Sequence, residues 1–216
     1  MVIFGTDYQL FPMRPFLLIF LISPLFAISQ AKNANELLAS NLKKYSIQSG
    51  EISYELTGDA AGTETMHFDA YGWKSLRKQS MSFELYGIKT VQELYEVTDG
   101  NLVYRLNEAD STMTMRKDFK WSQQAAYKNP QEVSEAILFS LGGTKVADSV
   151  LLEKNCQVWT FQGKALQELW IWKGLVLKRK TKLGDRIVFS TANDIKLGTI
   201  PNQNLFIIPD YMKAKN

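Results

Sequence analysis

The chain holds one histidine, His67, with Asp69 two residues further on. On a strand, positions i and i+2 share a face. The pair could therefore act as an acid–base dyad or supply two ligands of a metal. Neither arrangement is completed. A zinc site takes three or four N, S or O ligands, and the chain offers no second histidine and one cysteine, Cys156, far away in sequence. A hydrolase built on His67 would need a serine or a carboxylate within hydrogen-bond reach of the imidazole. No Gly-x-Ser-x-Gly elbow, phosphate-cradling glycine loop or dinucleotide fingerprint marks such a site. Glu64, Asp69 and Glu84 are scattered on strands without evident pairing. Cys156 has no partner for an intramolecular disulfide and lies beside Val158 on an apolar strand, where it reads as a small buried hydrophobe. These residues argue for a protein that is not an enzyme and carries no metal or cofactor.

The other chemistry on offer is apolar. Between Cys156 and Lys182 the sequence CQVWTFQGKALQELWIWKGLVLKRKTK reads as three short strands, with turns at Gly163-Lys164 and Lys173-Gly174. Three of the five tryptophans fall here. Ordinary half-exposed strands alternate apolar and polar residues. These set Cys156 and Val158 against Trp159 and Phe161, and Leu169 and Ile171 against Trp170 and Trp172, so both faces are apolar. Such a sheet must be covered on both sides. Trp159, Phe161, Trp170, Trp172, Leu175 and Leu177, with Ile137 and Phe139 from a helix, are the candidate lining of a cavity for a lipid or acyl chain. The competing reading makes the same residues ordinary core under that helix.

The positioning elements follow from period and punctuation. NANELLASNLKKY reads as a short helix, capped by Asn33 or Asn35, with Leu38, Leu42 and Tyr45 on one face. The period then becomes two through Ile52-Tyr54-Leu56, Met66-Phe68-Ala70, Met81-Phe83-Leu85, Val91–Val97, Leu102-Tyr104-Leu106 and Thr112–Met115. Asp99-Gly100-Asn101 is a hairpin signal within this meander. Asn129-Pro130-Gln131-Glu132 has the form of a helix start, and Gly142-Gly143 that of its stop. Between them Val133, Ala136, Ile137 and Leu141 form an apolar stripe, widened by Leu138 and Phe139. Strands resume at Val146–Leu152, and Arg186–Leu197 is the last long one. Leu205, Phe206 and Ile208 then dock as a closing segment.

Composition bounds the rest. With 216 residues, 45% hydrophobic and 22% charged, the chain reads as one domain over 32–216. A net charge of +3 is too balanced to point to nucleic acid. The local excess at Lys178, Arg179, Lys180 and Lys182 splits over two faces and reads as a solvated edge, with anionic lipid head groups or another acidic partner as the alternative. Residues 1–31 read as a signal peptide: Arg14, then an apolar run from Phe16 to Ile28, then small residues ending at Ser29-Gln30-Ala31. That run is too short to span a bilayer comfortably, which takes about 20 residues, so no span is expected after cleavage. Met13 is a more natural start, leaving residues 1–12 as a mis-assigned beginning. The expected location is periplasmic, with secretion as second choice.

The order of elements (helix, antiparallel meander, inserted helix, more strands, closing segment) resembles that of the periplasmic lipoprotein-carrier superfamily, the LolA-like proteins. The similarity covers residues 33–212, with local likeness in GTETMHFDAYGWK at 62–74, LQELWIWKGLVLK at 166–178 and LFIIPDY at 205–211. The resemblance implies an α+β fold: a strongly curved antiparallel β-sheet, a half-open barrel, with helices covering the concave face. It implies a protein that shelters a lipid or the acyl chain of a lipoprotein without catalysis, and a monomer is expected. An envelope scaffold protein with a filled core and no ligand is the alternative.

Overall fold

The computed structural model describes residues 32–39, 41–107, 111–118, 129–210 and 213–214. The signal-peptide reading of 1–31 and the turn residues at 108–110 lie outside them. One short helix, α1 (Ala34–Ala39), precedes six strands: β1 (Gly50–Gly58), β2 (Ala61–Asp69), β3 (Lys74–Leu85), β4 (Ile88–Asp99), β5 (Leu102–Asn107) and β6 (Thr112–Lys117). A second helix, α2 (Pro130–Ser140), leads into β7 (Gly143–Leu151), β8 (Lys154–Phe161), β9 (Leu166–Trp172), β10 (Leu175–Leu183) and β11 (Arg186–Leu197), followed by a two-residue β12 (Lys213–Ala214). All twelve join one sheet in the order β12-β6-β5-β4-β3-β2-β1-β11-β10-β9-β8-β7. Two antiparallel meanders thus meet where β1 pairs with β11, and the sheet is open at β7. Among the described strands only β12, beside β6, is parallel to its neighbour.

Turn chemistry sets the registers. Lys173-Gly174 forms the two-residue loop between Trp172 and Leu175, with φ of 50° and 85°, the left-handed pair that a twisted hairpin needs. Gly100, at φ 62°, serves the β4–β5 hairpin, where a side chain would overlap the Lys32 carbonyl.

Curvature is legible in side-chain contacts. Glu64 on β2 and Arg179 on β10 are separated by β1 and β11, three steps of ~4.8 Å each, or ~14 Å in a flat sheet. Their side chains nevertheless form an ion pair. The Tyr54 hydroxyl on β1 likewise donates across β11 to the Val176 carbonyl at 2.9 Å. Side chains standing perpendicular to a flat sheet would not meet over such spans. The strands therefore curl toward this face, and it is the concave one. Ile52, Tyr54, Met66, Phe68, Cys156, Leu175, Leu177 and Ala192 fill it.

The helices sit differently from the expectation. Among the described residues, α2 packs on the opposite, convex face: Leu138 and Leu141 meet Trp159, Phe161, Leu169 and Ile171. The inner curve is filled by its own side chains. Its cover is the stretch after α1, where Tyr45 stands edge-on to Phe68 at 5.3 Å and Ile47 packs beside it. α1 itself ends at Ala39, so Leu38, Leu42 and Tyr45 do not form one stripe. Leu37 is its fully buried residue, against Ala34 and Trp73, and Asn33 caps it by accepting from the Glu36 amide at 3.0 Å. The closing segment docks as expected: Leu205, Phe206 and Ile208 cover Leu76, Val97 and Leu106.

Candidate functional site

The eight aromatic and aliphatic candidates divide between the two faces. Leu175 and Leu177 are fully buried in the concave cluster, with Trp170 and Trp172 packed against it. Trp159 and Phe161 lie on the convex face under α2, together with Leu138, Leu169 and Ile171. Ile137 is buried on α2, whereas Phe139 is 61% exposed and touches the site only through an edge-to-face contact with Trp159 at 4.9 Å. The helical stripe is rotated relative to the expected one: Val133, Ser134, Ile137 and Leu138 are its buried residues. Strand alternation separates these residues. Two tryptophans two positions apart share a face, but Trp159 and Trp170 face each other only if their strands are in that register, and Trp159 pairs with Leu169 instead.

The convex site is built by α2. The Asn129 side chain accepts from the Gln131 amide at 2.9 Å, and Pro130 opens the first turn. Midway, Glu135 accepts from Gln157 Nε2 at 2.7 Å and faces Lys145 Nζ at 3.7 Å. Burial alone would push its carboxyl up, but these partners hold it below the usual range. At the far end the Lys164 ammonium donates to the Leu141 carbonyl. A few polar ties thus hold the helix over an apolar strip. Beneath its first turns is a hollow of about 280 Å³, with Gln131, Ser134, Asp148, Asn155 and Gln157 around Ile171 and Trp172.

A larger groove of about 720 Å³ runs along the other half of the sheet, past Thr63, Thr65, Lys78, Tyr95, Arg105 and Thr114. Its lining is mostly polar, and it contains none of the eight candidates.

Sequence reasoning missed the charged part of the concave face. Glu64 is 2% exposed and binds Arg77 Nε at 3.2 Å, the Arg179 guanidinium, and Gln79 Nε2 at 3.1 Å. It is paired, not scattered. The available signal was parity: Glu64 shares a face with Met66 and Phe68, as Arg179 does with Leu175 and Leu177. The basic stretch on β10 is accordingly no edge, since β10 lies between β9 and β11. Lys44 lies nearby, 4.4 Å from the Trp73 ring centre, and burial depresses its ammonium to about 8. Burial also pushes the Tyr45, Tyr54 and Cys156 protons to higher pH.

His67 is half-buried, with Nδ1 3.5 Å from Glu51 Oε2, and Glu51 also holds Lys196 at 3.3 Å. Asp69 does not join it. Its carboxylate accepts from the Ala70 amide and from Gln203 Nε2. Among the described residues no group of three His, Cys, Asp or Glu is placed to hold a metal.

Comparison with known proteins gives the fold and little else. No family model and no curated protein matches the chain. Among solved structures it is similar to an uncharacterized conserved protein from Thermus thermophilus, with a TM-score of 0.50, 10% identity, and 84% and 98% of the two chains covered. Looser matches include MucB, at a TM-score of 0.41 and 13% identity over 82% of this chain and 63% of that one. LprF from Mycobacterium bovis matches at 0.35 and 10% identity, over 78% and 96%. The first match shows a shared open, curved, mostly antiparallel sheet. Among the described residues no helix is long and apolar enough to cross a membrane.

Proposed function

We propose that the protein is an exported, non-catalytic binder of an amphipathic lipid or of the acyl chain of a lipoprotein, held between α2 and the convex face. The observation that carries this reading is the apolar strip of Trp159, Phe161, Leu169 and Ile171, covered by one tethered helix with a hollow at its end. At ~30 Å³ per small group, the hollow of about 280 Å³ takes roughly nine methylenes. Each methylene that is fully buried there is worth ~0.8 kcal/mol. The polar mouth suits a head group, and the apolar floor a chain. The LolA-like order of elements points the same way, as does the apolar N-terminal run that reads as an export signal.

The test is quenching of tryptophan fluorescence by a brominated fatty acid, in wild type and in Trp172→Phe, which removes the tryptophan that lines the hollow. Saturable quenching that weakens in the variant supports the site. Quenching that is absent, or unchanged in Trp172→Phe, overturns it.

A filled concave face favours a second reading, an envelope scaffold that binds a protein and no lipid. Saturable fatty-acid binding would exclude it.

A further inference from the structure

Antiparallel pairing brings the 43–47 segment, the 70–73 turn, and the 152–153 and 173–174 hairpins to one end of the sheet. Hydrogen bonds make them one surface. The Lys44 and Tyr45 amides both donate to the Tyr71 carbonyl at 3.0 Å, and the Ser46 amide donates to the Lys173 carbonyl at 3.0 Å. Lysines lie over aromatic rings at several points along it, and Glu153 is the exposed carboxylate of the 152–153 hairpin. Lys43 Nζ is 3.9 Å from the Tyr71 ring centre, and Lys154 and Lys173 are 5.3 and 5.0 Å from that of Trp172. Lys173 is exposed and the other two are half-buried. Among the described residues none of the three has a carboxylate within ion-pair distance. Charge along the chain is uneven in the same sense: residues 143–197 hold ten basic and five acidic side chains, against twelve and fifteen in 32–142.

We infer that this lysine–aromatic rim docks on an anionic phospholipid bilayer. Aromatic rings with one apolar and one polar side favour the head-group region, and ammonium groups without carboxylate partners are free to meet lipid phosphates. Each lysine near such a surface is worth about fivefold in affinity, equivalent to ~1 kcal/mol. The surface adjoins the hollow, which Trp172 and Lys173 also line, but the inference stands on charge and geometry and not on the presence of a ligand there.

The test is cosedimentation of the full chain with vesicles of phosphatidylglycerol in phosphatidylcholine and with phosphatidylcholine alone. The readout is the ratio of the two partition coefficients, to which an apolar N-terminal run contributes equally on both sides. Wild type is expected to favour anionic vesicles and to lose that preference in about 0.5 M salt, where the screening length is roughly 4 Å. Lys43→Gln/Lys154→Gln/Lys173→Gln should lower the ratio about a hundredfold. Lys89→Gln/Lys180→Gln/Lys182→Gln, with the same charge removed away from the rim, should leave most of it. Equal binding to both vesicles, or equal losses in the two triple variants, would overturn the inference. So would a soluble acidic polypeptide that binds wild type as tightly as the anionic vesicles do. Fatty-acid binding measured without vesicles is independent of all these outcomes.

Discussion

Glu64→Gln removes one negative charge from a concave face that keeps two guanidinium groups. Breaking one side of a buried ion pair costs ~3–5 kcal/mol, because the remaining charge loses its partner inside the fold. The Arg77 and Arg179 side chains are 31% and 23% exposed, so water screens part of what is left. The expected loss is therefore ~3 kcal/mol, at the lower end. With a urea slope of ~2 kcal/mol per molar, the unfolding midpoint should fall by ~1.5 M at unchanged slope. The companion is Glu64→Leu/Arg77→Met/Arg179→Met, which removes the whole network and fills its volume with apolar atoms. Such replacements are neutral or stabilising in other proteins, so this variant should unfold within ~1 kcal/mol of wild type or later. A Glu64→Gln loss below ~1 kcal/mol would mean the charges are solvated and the face is not closed over them. A triple variant as unstable as the single one would refute the reasoning equally, because the cost would then lie in lost contacts and not in orphaned charge.

Further outcomes follow from the same geometry. Lys44 titrates at about 8 when folded, because burial outweighs the pull of Asp118, and at 10.5 when free. The unfolded chain thus binds its proton more tightly, so this group's contribution to stability rises with pH between those values, by up to ~3 kcal/mol. Urea titrations of wild type and Lys44→Met across that range should converge as pH rises. Parallel curves would contradict the burial. Trp159→Ala should cost ~3–5 kcal/mol by cavity formation, whereas Phe139→Ala, losing one edge-to-face contact on an exposed ring, should cost about 1 kcal/mol; equal losses by chemical denaturation would misplace one of them. A Cβ on Gly62 would overlap the Ser80 carbonyl, so Gly62→Ala should lower stability by ~1–3 kcal/mol through backbone displacement. A variant with wild-type melting behaviour would show that β2 and β3 can separate freely there.

Local signals are legible in the sequence. Asn129 caps α2 and Lys173-Gly174 turns β9 into β10 because capping and left-handed turn residues act within a few positions. Arg186–Leu197 is β11 to the residue. The side of the sheet that α2 covers was not legible. Strands 154–183 are apolar on both faces, so period alone could not say which face curls inward. Nor was the pairing of Glu64 with Arg179, which lie 115 residues apart and meet only because β1 pairs with β11. Curvature is a property of the whole sheet and leaves no mark on single-strand alternation. The candidate cavity consequently merged residues that two faces keep apart.

Native mass spectrometry, combined with lipid extraction, of the protein isolated gently from the cells that make it tests the central claim most directly. The account predicts a bound lipid or acylated peptide in near-stoichiometric amount, and uptake of a lysolipid or fatty acid by stripped protein that Trp172→Phe weakens. A clean unliganded mass that added fatty acid and lysolipid leave unchanged would contradict it.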